Sequence, residues 1–269
     1  MILRTLQKKE VNKILKSLNV NGFIKIDNFI KQKQVEKFLN LLKKIYNKGV
    51  NNKGLPSRDS KDLRINNLAK RDKSFCDLIS DPQLEKFLKP KLNDKFYRFL
   101  PDNVPNYILG GFNGRSSGDK LDLHIDSFMP FTGDYNNVIL VLFVLEDMSG
   151  KNGATIIVPK SHKSGTYTDR STNNIKVINA KAGDVLILDA RTWHGTTENK
   201  TDKSRWLITS AFYRWWMKQQ VNFPKSMPKN ILKKLTNKQK QILGFCSIPP
   251  VTESDRINTK CGYEILKKI

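Results

Sequence analysis

A mainly β fold with flanking helices, arranged as a sandwich or jelly roll, is predicted by three features of the chain. Between Asn106 and Tyr213, eight short apolar runs are separated by Gly, Asn and Asp. Before about residue 100, apolar residues recur at helical spacing instead. The strands follow one another in a single run, without the alternating helices of a parallel sheet.

The elements follow in order. Leu6 to Leu18 carries apolar residues at helical spacing, Asn21-Gly22 breaks it, and Phe23-Ile24-Lys25-Ile26 reads as a short strand. Lys33 to Tyr46 predicts a second amphipathic helix, with Val35, Phe38, Leu39, Leu42 and Ile45 on one face. Residues 48–62 are polar and turn-rich, a loop or lid. Asp81-Pro82 opens a further helix through Leu88, with a capping carboxylate and a proline in the first turn. The eight strand candidates are 106–112, 119–125, 137–146, 154–158, 175–179, 184–189, 192–197 and 205–213. Beyond them lie one amphipathic helix, about 229–243, and an irregular tail. The expected organisation is a single domain over 1–269: a mostly helical layer over 1–100, a β core over 106–213 and an extension over 214–269.

The chain has 269 residues, 38% hydrophobic and 27% charged, which fits a globular protein able to bury a sizeable core. Its longest apolar run, Val138 to Leu145, is too short for a membrane span and reads as a buried strand. The N-terminus becomes charged at Lys8-Lys9-Glu10 before a secretory apolar region develops. Cys76, Cys246 and Cys261 are odd in number and lack metal-ligand spacing, so reduced thiols in a cytoplasmic protein are expected. The net charge of +23 has two readings. One is compositional, since Lys, Asn and Ile are abundant and Arg is scarce. The other is attraction to an anionic partner or substrate. The lysines are scattered rather than gathered into an aromatic-interleaved stripe, so no specific nucleic-acid partner is expected. A small-molecule substrate and a monomeric state are expected.

Only 3 histidines occur, and two belong to one constellation: His124-Ile125-Asp126, then His194, then Arg205. On a strand, residues i and i+2 face the same way, so His124 and Asp126 can reach one metal from a strand end. His194 falls on the seventh predicted strand. The second and seventh strands of a jelly roll pair, which brings the distant histidine to the same place. Two imidazoles and a carboxylate form the facial set that holds non-haem Fe(II) with positions left open. Arg205 opens the eighth strand, where a buried guanidinium can grip a carboxylate in bidentate geometry. Thr196, two places after His194, lies on the same strand face and can donate a hydroxyl to that carboxylate. The plainer alternatives are two unrelated hydrogen-bonded histidines and a surface arginine beside Asp202.

Gly153-Ala154-Thr155-Ile156-Ile157-Val158-Pro159-Lys160-Ser161-His162 resembles a signature of the phytanoyl-CoA dioxygenase family, with Lys160 standing where those proteins usually have glycine. Ala182-Gly183-Asp184-Val185-Leu186-Ile187-Leu188, leading to Trp193-His194-Gly195-Thr196 and Arg205, resembles that family's segment around its second histidine. Asn21 to Ile30 is similar to its opening helix-to-strand unit. The resemblance covers about residues 10–250 and is strongest over 119–213.

It implies a double-stranded β-helix core, jelly roll and cupin-like, and an Fe(II)- and 2-oxoglutarate-dependent dioxygenase using O2. His124, Asp126 and His194 are then the catalytic iron ligands, and Arg205 and Thr196 hold the 2-oxoglutarate tail. The implied reaction hydroxylates an organic substrate and releases succinate and CO2; the resemblance leaves the substrate open, and the net charge of +23 points to a small anionic one. A full triad argues against halogenation. Leu142 occupies a strand position where some relatives carry tryptophan near the co-substrate. His162 is read as structural. Candidate substrate contacts are Phe128, Met129, Arg64, the 49–62 loop and Trp215-Trp216, and strand 106–112 is expected to supply a further co-substrate contact. Alternatives are a nucleic-acid dealkylase of the same class, a non-catalytic jelly-roll binding protein, and a zinc hydrolase using the same ligands.

Overall fold

The computed structural model describes residues 1–49, 62–96, 100, 104–116, 118–169, 171–249 and 252. Helix α1, Lys8–Asn21, starts where the Glu10 carboxylate accepts the Gln7 backbone N–H at 3.0 Å, and ends at Gly22. Gly22 has φ +83°, a left-handed turn that glycine enters without a Cβ penalty. Strand β1, Phe23–Ile26, follows, and then α2, Gln32–Asn47, which buries Val35, Phe38 and Leu42 as the apolar stripe predicts. Two elements were not predicted: β2, Leu63–Asn66, and α3, Lys73–Ile79. Helix α4, Pro82–Leu92, begins as expected with Asp81 accepting the Gln83 N–H at 3.0 Å. It runs one turn past the predicted end.

The eight strands predicted over 106–213 all form. They are β3, Ile108–Ser116; β4, Leu121–His124; β5, Val138–Val144; β6, Thr155–Ile157; β7, Lys176–Ile178; β8, Val185–Asp189; β9, His194–Thr196; and β10, Trp206–Tyr213. They make two sheets, ordered β1-β8-β5-β10-β3-β2 and β4-β9-β6-β7, and every pairing is antiparallel. The β core is the predicted jelly roll, and its two sheets do not close into a barrel.

The uninterrupted apolar run of β5 follows from its position at the middle of the larger sheet. Ile139, Val141 and Phe143 pack outward with Phe38, Phe75 and Phe87 of the helices. Val138, Leu140, Leu142 and Val144 pack on the opposite face with Leu186, Leu188, Ile157 and Ile178. A strand covered on both faces needs apolar residues at every position. The helical layer therefore stiffens the sheet that backs the site.

The C-terminal segment departs from expectation. The helix predicted over 229–243 is two short ones, α6, Lys229–Leu232, and α7, Asn237–Ile242, preceded by α5, Phe223–Ser226. Thr236 causes the break: its hydroxyl accepts the Gln239 N–H at 3.2 Å, and the Gln239 side chain accepts the Thr236 N–H at 3.0 Å. This reciprocal cap starts a new helix where periodicity alone continues the old one. Most of the predicted 48–62 loop and the irregular tail lie outside the described residues, as does Cys261. Cys76 is a buried free thiol, and Cys246 is also buried. No helix among the described residues is long and apolar enough to cross a membrane.

Three turns meet beside β9 and fix its start. The Gly22 carbonyl accepts the Thr192 hydroxyl at 2.9 Å and the Asp189 N–H at 2.8 Å. Lys160, at φ +67° in the position where glycine is usual in the resembling family, donates its N–H to Asn21 O at 2.9 Å. Ser161 Oγ accepts the Trp193 N–H at 2.8 Å, and His162 Nε2 bonds to Asn19 O at 3.1 Å. His162 is thus a structural residue of this junction, as read. On the other side, buried Asp189 and Arg191 pair at 2.7 Å. Arg191 also donates to Gly133 O at 2.8 Å and stacks on Phe131, tying down the segment that follows Asp126.

Two stability outcomes follow. Arg191→Met leaves the buried Asp189 charge unpaired and is expected to cost about 3–5 kcal/mol in urea unfolding, with Asp189→Asn added in the same chain recovering part of it. Lys160→Gly removes left-handed strain and is expected to raise Tm by about 1–3 °C. Unchanged unfolding in the first case, or a lower Tm in the second, contradicts these assignments.

Candidate metal and co-substrate site

Strands β4 and β9 pair so that His124 lies directly opposite His194, the juxtaposition expected of the second and seventh strands. The rings are 4.3 Å apart between centroids. Asp126 follows just beyond the end of β4, its N–H bonded to Ala190 O at 2.8 Å. Its carboxylate reaches both rings: Oδ1 is 3.7 Å from His124 Nε2 and Oδ2 is 3.6 Å from His194 Nε2. One donor atom from each of the three residues lies within 4.8 Å of the others, and among the described residues no second group of His, Cys, Asp or Glu is gathered for a metal in this way.

The imidazole tautomers follow from their other contacts. His124 Nδ1 is 2.9 Å from Asp122 O, and His194 Nδ1 is 2.8 Å from Thr192 O. A carbonyl can only accept, so each Nδ1 carries the proton and each Nε2 lone pair points into the group. Burial, then repulsion from His194, lowers the His124 pKa and favours its neutral form. For His194, burial works against protonation, but the hydrogen bond to Asp126 and that carboxylate's charge outweigh it and raise the pKa. Burial likewise opposes the Asp126 charge, but the two imidazoles outweigh it and hold its carboxyl below the ordinary range. A bound cation would displace the proton that His194 Nε2 shares with Asp126, and two neutral nitrogens and an anionic oxygen on one side would then leave the opposite side of a divalent ion open.

The three residues border a cavity of about 670 Å³, a volume suited to small organic ligands. Arg205 and Thr196 line it too. Arg205 is 1% exposed, which overturns the alternative of a surface arginine beside Asp202. Among the described residues its Nε, Nη1 and Nη2 have no hydrogen-bond partner. Burial, then repulsion from Arg115, pushes its pKa down to about 9, so it remains charged at neutral pH. A buried guanidinium with an unused fork is matched to a carboxylate ligand. Thr196 Oγ1 accepts the Leu121 N–H at 3.2 Å, and its own hydroxyl proton is left to donate. These are the features that a divalent metal and a dicarboxylate need.

Other expectations divide. Arg64 lines the cavity, as does Leu142. Phe128 and Met129 are each 60% exposed and lie off the cavity wall, Phe128 against Tyr213. Trp215 packs on the core and bonds Asp94 at 3.0 Å through Nε1, and Trp216 faces solvent. These four stand away from the cavity. Strand β3 contributes Gly111, Asn113 and Arg115 to the wall. The expected 106–112 strand stopped short of the two polar residues, although their two-residue spacing is a legible signal. Thr155, Thr209 and Gln220 also line the cavity and were not anticipated.

A family model for phytanoyl-CoA dioxygenase (PhyH) matches residues 18–206. Among curated proteins, the chain is 26% identical over 199 residues to the dioxygenase af480 of Aspergillus fumigatus, covering 72% of this chain and 62% of that one. It is 23% identical to the uncharacterized protein Rv1501 of Mycobacterium tuberculosis, covering 67% and 66%. The chain thus spans less than two thirds of the length of these relatives. Among solved structures, HygX from Streptomyces hygroscopicus with nickel and 2-oxoglutarate bound superposes with a TM-score of 0.61 at 20% identity, covering 80% of this chain and 90% of that one. The non-heme alpha ketoglutarate dependent epimerase SnoN from nogalamycin biosynthesis gives 0.63 at 13% identity, covering 83% and 89%. At these identities the likeness establishes a common fold. The match over residues 18–206, carrying the signature at 153–162 and the pairing of His124 with His194, makes this chain a member of the phytanoyl-CoA dioxygenase family.

Proposed function

We propose that the chain is an Fe(II)- and 2-oxoglutarate-dependent dioxygenase that hydroxylates a small anionic organic molecule. The observation that carries this reading is the joint presence, around one cavity, of the His124–Asp126–His194 donor group and the buried, unpartnered Arg205. A binding protein has no need of all four. A zinc hydrolase has no need of Arg205. Both named structural neighbours carry 2-oxoglutarate or depend on it, which agrees with the proposal.

In this reading His124, Asp126 and His194 hold the metal, and Arg205 with Thr196 holds the distal carboxylate of 2-oxoglutarate. When bound, iron and 2-oxoglutarate with O2 supply the oxidising chemistry, inserting one oxygen atom into a C–H bond of the substrate and leaving succinate and CO2. The chain's own part is placement. Asp122 O and Thr192 O keep both Nε2 lone pairs turned inward. Arg205 is held charged where no water competes, so its fork strengthens the grip on a carboxylate. Leu140, Leu142 and Leu207 give the cavity an apolar wall that limits water beside the reacting group.

The test is an anaerobic titration with Fe(II) and 2-oxoglutarate, followed by the weak visible charge-transfer band. The band is expected in the wild type and absent in His124→Ala. Arg205→Met is expected to weaken 2-oxoglutarate about a hundredfold, in line with losing one partner of a desolvated ion pair. Thr196→Val is expected to weaken it about fivefold, as for a single hydrogen bond. An unpaired buried charge is destabilising, so the same Arg205→Met chain without ligands is expected to be more stable than wild type by about 1–4 kcal/mol. A band that survives in His124→Ala, or unaltered 2-oxoglutarate affinity in Arg205→Met, contradicts the proposal.

A further inference from the structure

The two histidines of the donor group are oriented through Nδ1, each anchored on a backbone carbonyl. Asp126 has no comparable anchor. Among the described residues its carboxylate meets the two imidazoles and no other hydrogen-bonding group, and its side chain is 47% exposed. Metal-binding side chains are commonly held by an outer hydrogen bond, and here the backbone has to supply that restraint. On one side the Asp126 N–H is fixed to Ala190 O at 2.8 Å. On the other side the chain closes a turn on a single residue, Phe128.

The Met129 N–H returns to Ser127 O at 2.5 Å, and Ser127 Oγ donates to Met129 O at 2.7 Å. Between them Phe128 has φ +56°. A hydrogen bond across one residue at positive φ is the rare, strained form of γ-turn. Glycine or asparagine enters this region readily, whereas a bulky side chain does not. Burial does not select phenylalanine either, because Phe128 is 60% exposed.

The contact that the ring does make is edge-on to Tyr213, with centroids 5.6 Å apart and planes at 76°. Tyr213 is 1% exposed, and its hydroxyl accepts Gln220 Nε2 at 3.1 Å. Burial, then the charge of Asp126, pushes that hydroxyl up to about 12, so it stays uncharged within the field of the carboxylate. Opposite Tyr213, β3 bulges at Gly110, where a Cβ would fall 2.1 Å from the tyrosine ring. Gly110 thus leaves the ring its seat, and Tyr213 is a fixed surface for Phe128 to lean on. A strained turn relaxes by moving the chain on one side of it. Arg191 holds the downstream side through Phe131 O and Gly133 O, so relaxation would displace Asp126.

We propose that Phe128 is a positioning residue for Asp126: its ring, braced on Tyr213, holds the strained turn that keeps the carboxylate facing His124 and His194. This deepens the proposed function and rests on its metal site.

The probe is Co(II), titrated anaerobically into the metal-free full chain and followed by its visible d–d bands, with thermal melts of each metal-free variant. Loss of the bands in His124→Ala locates the ion. Phe128→Gly removes ring and strain together, and Phe128→Asn removes the ring while keeping a residue that tolerates the turn. Each is expected to weaken Co(II) about tenfold, as loss of an outer restraint on a metal ligand does. Their bands are expected to shift, while Tm stays within about 2 °C of wild type. Phe128→Tyr retains the edge contact and is expected to restore Co(II) affinity to within about twofold.

Unchanged Co(II) affinity in Phe128→Gly or Phe128→Asn overturns the proposal, as does an equal loss in Phe128→Tyr. A weakening accompanied by a fall in Tm of more than about 5 °C also overturns it, because a structural role then accounts for the loss. If wild type binds no Co(II), or binds it equally well as His124→Ala, the metal site of the proposed function fails and this inference falls with it. Binding by wild type that Phe128→Gly leaves unaltered removes this inference alone.

Discussion

The short antiparallel contact between β4 and β9 is the constraint on which the rest of the site depends. It sets His124 opposite His194, and Asp126 is then carried to both rings by the first two residues beyond the strand. The approach is close enough to restrict the residue between His194 and Thr196: a Cβ on Gly195 would lie 2.3 Å from Leu121 O. Glycine at 195 is therefore a packing requirement of the pairing rather than a matter of backbone torsion. The turns around Gly22, Lys160 and Ser161 hold the β9 start from one side, and the Asp189–Arg191 pair holds the segment after Asp126 from the other. The family signature at 153–162 thus acts at a distance from the cavity, by fixing where His194 begins.

Electrostatics complete what the pairing begins. Burying Arg205 without a partner is unfavourable in the empty protein, and a protein keeps such a group where a ligand will neutralise it. Arg115 adds to the cost by repulsion. In the proposed function an entering carboxylate would regain that stability, which would link co-substrate affinity to the stability of the fold. The net charge of +23 says little about this. What matters locally is the buried Arg205 guanidinium on the wall of one cavity.

Much of this was legible in the chain, for identifiable reasons. Strands such as Val138–Val144 and Val185–Asp189 announce themselves because both faces are covered and every residue is apolar. The donor triad was legible because histidine is scarce here and i, i+2 spacing has a geometric meaning on a strand. Strand β2 was hidden because it sits at a sheet edge, with polar Arg64 and Asn66 alternating against Leu63 and Ile65. The split of the 229–243 helix was hidden because periodicity does not register a threonine cap. Asn113 and Arg115 were missed as cavity residues because the apolar pattern ends at Phe112, whereas β3 runs on to Ser116. Phe128, Met129, Trp215 and Trp216 show the reverse error: closeness in sequence to a site residue does not place a side chain in its cavity.

The most direct test of the convergence of His124, Asp126 and His194 on one metal is iron K-edge X-ray absorption on the anaerobic Fe(II) protein. The account predicts outer-shell scattering from two imidazoles, falling to one in His194→Ala, with the remaining light-atom shell altered when 2-oxoglutarate is added. Scattering without imidazole, or a spectrum unchanged by the loss of His194, would contradict it.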